Sequence, residues 1–406
     1  MLQSPVSIET KTSWAVASAA LFVLAMSFGA AWMTTVALKD IAAEVGGSRS
    51  VPALATALAW FGSGFGGILM SQIASRVGTR ATVITGSVMI ALGLVISTFG
   101  APWPLWVGHG LFIGLVGIGG INAPLYVYVS RWFDRRRGSA LALISSGSYL
   151  AGAFWPPIFE RAIASFGWRQ SMLWYALAEI LVIVPVAAIY FRRPPESPHP
   201  LTSATGAQRS RVLGWPPNLV FAMMCCAAVL CCMPMAMPQG HLVAFCSDLG
   251  ISRSVGALML SVLLGTAFMS RQVWGAISDR IGGLKTVLIG STWQVASMTA
   301  FLLTQNEVGL FTVTAIFGLG FSGIIPAYVL AARELFPPSE ASWRIPLLLL
   351  FTAGGMGAGS WVAGLLYDHF GYYAPAFTAG IGLNLLNLLV VGVLVGRQLR
   401  WRPTAA

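Results

Sequence analysis

Long apolar stretches alternate with short polar segments along the whole chain. Twelve apolar segments can be delimited, near 14–38, 52–75, 81–100, 103–130, 138–160, 169–191, 216–245, 254–278, 286–304, 308–332, 343–366 and 373–396. They reach or approach the roughly 20 apolar residues with which a helix crosses a bilayer. The pattern predicts an all-α membrane protein with twelve transmembrane helices.

A single long polar stretch interrupts this pattern near the middle of the chain. Residues 192–214 are rich in Pro and Ser, and this composition is typical of a flexible linker. We therefore predict an N-terminal six-helix lobe at 1–191, a cytoplasmic linker at 192–214 and a C-terminal six-helix lobe at 215–406.

The two predicted lobes are internal repeats of each other at an offset of 204 residues. "GGSRSVPAL" at 46–54 aligns without gaps to "GISRSVGAL" at 250–258, and the same register aligns 70–87 with 274–291. Chance similarity between apolar helices would not hold one register through polar loops. The repeat predicts two pseudo-symmetric lobes, as in transporters built from parallel repeats.

Composition and charge narrow the class of protein further. Only 9% of the residues are charged and the net charge is +11, against about a quarter charged residues in soluble domains. Of the 24 Lys and Arg residues, 18 fall on the side of the termini and 5 on the other. This asymmetry predicts cytoplasmic termini in a plasma-membrane protein rather than nucleic-acid binding. The five cysteines lack zinc-site spacing, so we expect no metal and no cofactor.

Two loops carry a recognisable superfamily motif. After the eighth segment, Gly275, Asp279, Arg280 and Gly282 fit the pattern G-x-x-x-D-R-x-G-x-[RK]. The first-half copy keeps Arg76, Gly78 and Arg80 but has serine where the pattern expects its first glycine and its aspartate. These loops resemble the gate loops of the major facilitator superfamily. The resemblance implies the two-lobed fold of that superfamily.

A finer resemblance is to the monocarboxylate porter branch, which includes oxalate/formate antiporter-like members. It is carried by "SRWFDRRRGSALALISSGSYLAG" at 130–152, by "GHLVAFCSDLGIS" at 240–252 and by Arg271 in the eighth helix. Animal members carry an aspartate where this chain has Ala267 and a lysine where it has Trp32. A second cation on helix eleven is also missing, so the resemblance implies a monoanion as substrate rather than a dianion.

Arg271 follows a run without charge at 255–270 and lies eight residues before Asp279. That spacing places it about 12 Å into the helix. A central arginine costs roughly 2.5–3.5 kcal/mol on insertion, so it is expected to face a cavity or an anion. Its planar guanidinium suits a carboxylate. The alternative is a structural arginine that bonds to helix carbonyls.

Other polar residues in the apolar helices are candidates for substrate or proton binding. Asn122 and Tyr126 share a face of helix four and are candidate substrate ligands or polar contacts between helices. Tyr149 and Tyr328 lie in helices five and ten and are candidate substrate ligands or aromatic packing residues. His241, Asp248 and Glu179 are candidate proton carriers. For His241 the alternative is a polar interface residue. For Glu179, the superfamily resemblance places helix six outside the cavity.

We predict a secondary transporter, active as a monomer, that moves a small monocarboxylate or related organic anion with a proton by alternating access. An exporter of drugs or metabolites is the alternative, although the G-P-x-x-G-G signature of antiporters is replaced by "SGSYLAGAFWPPI". The sequence contains no ring of charged residues of the kind that lines a channel. It also contains no nucleotide-binding loop and no clustered catalytic set, which argues against an ATPase or another enzyme.

Overall fold

The computed structural model describes residues 9–192 and 211–400, which are almost entirely helical and form no β-strand. The membrane-spanning helices are α1 (Lys11–Val36), α2 (Ser50–Val77), α3 (Thr79–Ser97), α4 (Pro102–Ser130), α5 (138–166), α6 (168–190), α7 (Pro217–Asp248), α8 (Arg253–Ile281), α9 (Gly283–Leu303), α10 (Glu307–Leu335), α11 (Ser339–Phe370) and α12 (Ala374–Arg400). The sharp break between α5 and α6 lies at Gly167, whose φ is 77°.

The prediction of an all-α membrane protein with about twelve spanning helices is confirmed. The structure does not test the predicted boundaries of the two lobes and the linker, because residues 193–210 of the predicted linker lie outside the described residues. The domain boundaries therefore remain a prediction.

The backbone repeats at the same offset as the sequence. Gly78 ends α2 with a φ of 91°, and Gly282 ends α8 with a φ of 87°. Residues with a Cβ rarely adopt this conformation, which explains why both copies of the loop carry glycine. A short helix, Leu38–Glu44, follows α1 and leads into the repeated "SRSV" segment at the start of α2.

Two helices depart from regular α geometry in ways that the sequence pattern did not predict. The α1 helix is interrupted at Phe28, between Lys11–Ser27 and Gly29–Val36. Residues Gly108–Ile118 of α4 form a π-helix. This glycine-rich segment packs closely on α2, where a Cβ added to Gly66 would lie 1.9 Å from the carbonyl oxygen of Leu115. Such close approach is how small residues join membrane helices.

The lobes meet along two helix pairs, α2 with α11 and α5 with α8. Small residues line both pairs: Gly357 faces Ala57, and Gly152 faces Leu264. We call the end of the bundle formed by 37–50, 247–254 and 367–373 the ion-paired end. The opposite end, where Lys11 and Arg400 lie, is called the terminal end.

Candidate functional site

Arg271 lies in α8 about 15 Å from the end of that helix at Ile281. Its guanidinium carbon lies 5.1 Å from the centre of the Tyr149 ring in α5, across the interface between the lobes. Tyr149 in turn packs edge-to-face on Phe321 at 5.7 Å. Arg271 is partly exposed, and no carboxylate of the described residues pairs with it. It is an unneutralised cation inside the membrane-spanning part of the protein.

The structure brings a second predicted ligand close to this arginine. Tyr126 of α4 lies near Arg271, and its hydroxyl also faces Ser145 of α5. Asn122 lies one turn before Tyr126, is partly exposed and has no hydrogen-bond partner among the residues that the structure describes. Arg271, Tyr126 and Tyr149 therefore form one cluster, which we call the arginine–tyrosine cluster.

Tyr328 is not part of that cluster. It is completely buried within the C-terminal lobe, where its hydroxyl donates to Asn387 at 3.0 Å. Asn387 continues this polar network to Ser291 and Asn384. In this conformation Tyr328 stabilises the C-terminal lobe and does not contact Arg271.

Ala267 and Trp32 occupy the positions where the monocarboxylate porter resemblance implies an aspartate and a lysine, and the structure shows no charged group at either position. Ala267, one turn before Arg271, is fully buried, and Trp32 donates its indole N–H to the carbonyl oxygen of Ser148 at 3.4 Å. Trp32 also borders a cavity of about 20 Å³ between the lobes, which is the space of about one water molecule. Its other lining residues are Thr35, Thr56, Trp60, Ala236, Gln239, Gly240, Met356 and Ser360.

The ion-paired end holds the lobes together with charged side chains. Arg49 donates from its two terminal nitrogens to the two oxygens of Asp248, at 2.6 and 2.7 Å, and Lys39 pairs with the same carboxylate at 3.1 Å. Asp368 accepts from the backbone N–H groups of Arg49 and Ser50 at 2.7 and 2.9 Å. These bonds join the start of α2 to the ends of α7 and α11.

Aromatic rings surround the Arg49 side chain, whose exposed fraction is 8%. Its guanidinium lies 3.6 Å from the centre of the Tyr367 ring and donates to the Tyr373 hydroxyl at 2.9 Å. Burial by itself lowers the pKa of Arg49, but the bonds to Asp248 and Tyr373 outweigh burial and raise it. Burial raises the pKa of Tyr373. Arg49 is therefore charged at every physiological pH.

A second ion pair crosses the interface with the roles of the lobes exchanged. Arg253 of the C-terminal lobe pairs with Asp40 of the N-terminal lobe at 2.5 Å. Arg253 is the repeat partner of Arg49, so each of the two "SRSV" segments supplies one arginine to an ion pair between the lobes. Sequence reasoning found this repeat but did not assign the arginines. The signal that was missed is an arginine repeated in both lobes on the side opposite the termini, where only 5 of the Lys and Arg residues lie.

The three proton candidates occupy different environments. Asp248 belongs to the ion-paired end, as described above. His241 is buried in α7 and bonds to Tyr373 and to the backbone of Ser360. Glu179 is fully buried in α6, and neither of its carboxyl oxygens has a hydrogen-bond partner among the described residues. An uncompensated charge there would be costly, so Glu179 is expected to hold its proton.

Sequence reasoning also missed a buried histidine in the N-terminal lobe. His109 of α4 lies 2.6 Å from the Thr34 hydroxyl and 3.1 Å from that of Ser97. These bonds tie α4 to α1 and α3 where the π-helix begins. A histidine within an apolar, glycine-rich segment was the available signal.

The predicted gate loops lie at the terminal end and are largely exposed. Arg76, Gly78, Arg80, Gly275, Asp279 and Arg280 are exposed, and Gly282 is partly buried. The carboxylate of Glu334 accepts from the backbone N–H of Gly283 at 3.1 Å, within the C-terminal lobe. Every salt bridge that joins the two lobes in the described chain lies at the ion-paired end. The structure is therefore closed at that end.

Comparison with known proteins agrees with this architecture. The profile of the Major Facilitator Superfamily matches residues 20–245 and 224–405. The chain belongs to the Major Facilitator Superfamily. Monocarboxylate transporter 13 of Bos taurus is 26% identical over 365 residues, which cover 89% of this chain and 82% of the relative. Human monocarboxylate transporter 11 is 26% identical over 395 residues, or 95% of this chain and 76% of the relative.

Solved structures of the superfamily share the fold. A bacterial homolog of the human lysosomal transporter Spinster, in an inward-facing and occupied conformation, has a TM-score of 0.75 at 15% identity and covers 98% of this chain and 100% of its own. A POT peptide transporter in complex with sulfate has a TM-score of 0.73 at 15% identity, with 94% and 95% covered. These relatives are transporters. Membership of the Major Facilitator Superfamily, together with relatives that are transporters, identifies the protein as a multi-pass membrane transporter rather than an enzyme.

Proposed function

We propose that this superfamily member carries a small monocarboxylate or a related organic anion across the plasma membrane, together with a proton. The observation that carries the proposal is the unneutralised guanidinium of Arg271 at the interface between the lobes. A carboxylate there would supply the missing countercharge and accept two parallel hydrogen bonds. The names of the monocarboxylate transporter relatives support the same substrate class.

The arginine–tyrosine cluster suits this role because both lobes contribute to it. Arg271 comes from the C-terminal lobe, while Tyr149 and Tyr126 come from the N-terminal lobe. An anion bound between them contacts both lobes and can favour one of their relative positions, which alternating access requires. We place both termini in the cytoplasm, as the charge asymmetry predicts, so the ion-paired end faces outward and is closed.

Uptake of carboxylates into proteoliposomes tests the proposal. Addition of a substrate monocarboxylate is expected to alkalinise the medium outside the vesicles, because each anion enters with a proton. Arg271→Ala should abolish this signal, and Arg271→Lys should lose much of it because lysine lacks the bidentate geometry. Arg161→Ala, which removes an exposed arginine at the outer end of α5, is the matched control.

The assay tests the anion site and the coupling to protons separately. Carboxylate uptake without a pH change would retain the anion site and reject proton symport. Full transport by Arg271→Ala would reject the anion site itself.

A further inference from the structure

A chain of hydrogen bonds connects the ion-paired end to a histidine inside α7. Arg49 donates to the Tyr373 hydroxyl at 2.9 Å, and that hydroxyl lies 2.9 Å from Nδ1 of His241. Nε2 of His241 lies 2.8 Å from the backbone oxygen of Ser360. Because a carbonyl oxygen only accepts, Nε2 carries the proton and Nδ1 accepts from the Tyr373 hydroxyl. Each donor in the chain thus points from Arg49 toward Ser360.

Protonation of His241 would reverse part of this chain. An imidazolium donates from both nitrogens, so the Tyr373 oxygen would face two cationic donors and its own proton would lose its acceptor. The charged groups that face His241 are Arg49, which opposes a positive imidazole, and Asp368, which favours one. Asp368 already accepts from two backbone N–H groups at the start of α2.

We propose that His241 is a proton switch for the ion-paired end, whose protonation weakens the hold of Arg49 and opens the lobes there. This inference rests on the proposed transport function but not on its substrate, because it names a proton site that is separate from Arg271. By linkage, the open arrangement must bind the proton more tightly than the closed one. Closing of the ion-paired end would then drive the proton off His241.

The position of His241 also connects the switch to the interior. Its neighbour Gly240 and its acceptor residue Ser360 both line the small cavity between the lobes, together with Trp32. Trp32 bonds to the backbone of Ser148, which is adjacent to Tyr149 of the arginine–tyrosine cluster. His241 is therefore connected by direct contacts to residues that lie between the closed end and the proposed anion site.

Distance measurements between spin labels test the switch without any substrate. Labels at Ala43→Cys and Ser254→Cys lie on exposed positions of opposite lobes at the ion-paired end. Cys226, the exposed cysteine among the five, is replaced by serine. Double electron–electron resonance in lipid nanodiscs is recorded from about pH 8 to about pH 4, which includes the ordinary range of histidine titration and extends below it.

We expect the longer, open distance to become more populated as the pH falls. If the proton binds the open arrangement tenfold more tightly, the ratio of open to closed molecules changes by about tenfold over the titration. His241→Gln, which keeps a neutral polar side chain, should remove this response. Tyr373→Phe should also remove it while leaving His241 in place, so the test does not depend on the folding of one variant.

Two further variants separate the possible explanations. Glu179→Gln removes the buried carboxyl of α6 and should keep the response, whereas loss of the response there would move the switch away from His241. Arg271→Ala should keep the pH response even when it abolishes carboxylate binding. The proton switch can therefore be confirmed even if the proposed carboxylate substrate is wrong. A pH-independent distance in the parent protein, or an unchanged response in His241→Gln, would overturn the proposal.

Discussion

Replacing Arg49 with glutamine removes the most buried charge at the ion-paired end. The guanidinium makes two charge-assisted hydrogen bonds to Asp248 and a third to Tyr373. Hydrogen bonds to charged groups contribute about 1.5–3 kcal/mol each. Asp248 keeps Lys39 as a partner and is 25% exposed, which reduces the net loss. We therefore expect the closed arrangement to lose about 2–3 kcal/mol relative to the open one.

This loss corresponds to an increase of about 30- to 150-fold in the ratio of open to closed molecules. The spin-label pair at Ala43 and Ser254 measures that ratio directly at neutral pH. Arg253→Gln is the matched control, because Arg253 is the repeat partner of Arg49 in a more exposed ion pair with Asp40. Arg253 also donates to the backbone oxygen of Val36 at 2.9 Å, but its pair with Asp40 is partly exposed to solvent, so a loss of about 1 kcal/mol and a change of about fivefold are expected. Equal shifts in both variants, or none in Arg49→Gln, would refute the reasoning.

Three further predictions concern Glu179, Gly357 and Arg344. Glu179→Gln should leave the thermal unfolding midpoint nearly unchanged if the carboxyl already holds its proton, and a marked drop would show that it is charged. Gly357→Val should favour the open arrangement in the spin-label assay, because its Cβ would lie 2.8 Å from the carbonyl oxygen of Ala57, whereas Gly382→Val has open space and should change nothing. Arg344→Ala should cost about 3–5 kcal/mol of stability, measured by thermal unfolding, because it breaks a buried ion pair; a near-native midpoint would contradict this.

The helices were predictable because their signal is local. A stretch of about 20 apolar residues has one low-energy conformation in a bilayer, since the backbone must satisfy its own hydrogen bonds. The repeat identified Gly78 and Gly282 as equivalent loop positions, but their positive φ angles became known only from the structure. The break of α1 at Phe28 had only a weak local signal, because Ser27 and Gly29 flank Phe28 within an otherwise apolar run.

The ion-paired end shows what a single sequence leaves open. Arg49 and Asp248 are far apart in the chain, and their pairing depends on how two separately folded lobes meet. The repeat indicated that Arg49 and Arg253 are equivalent positions, but not that each reaches into the opposite lobe. Pairings of this kind are determined by tertiary contacts, which hydrophobic patterns do not specify.

Tyr149 and Tyr328 illustrate the same limit within the candidate site. Each is a tyrosine in the middle of an apolar helix, so their sequence signals are alike. The structure places Tyr149 against Arg271 and buries Tyr328 against Asn387. Rotation of each helix about its own axis decides between these environments, and the sequence around each tyrosine did not specify that rotation. Arg271 was identifiable because its cost in an apolar segment is large wherever it faces.

Direct binding of a carboxylate and of its uncharged amide to the purified transporter tests the central claim most directly. Charge-assisted hydrogen bonds to Arg271 contribute about 1.5–3 kcal/mol, so the parent protein should prefer the carboxylate by about 10- to 150-fold. Arg271→Ala should lose this preference while Arg161→Ala keeps it. An equal preference for the carboxylate in the parent protein and in Arg271→Ala would contradict the proposed anion site.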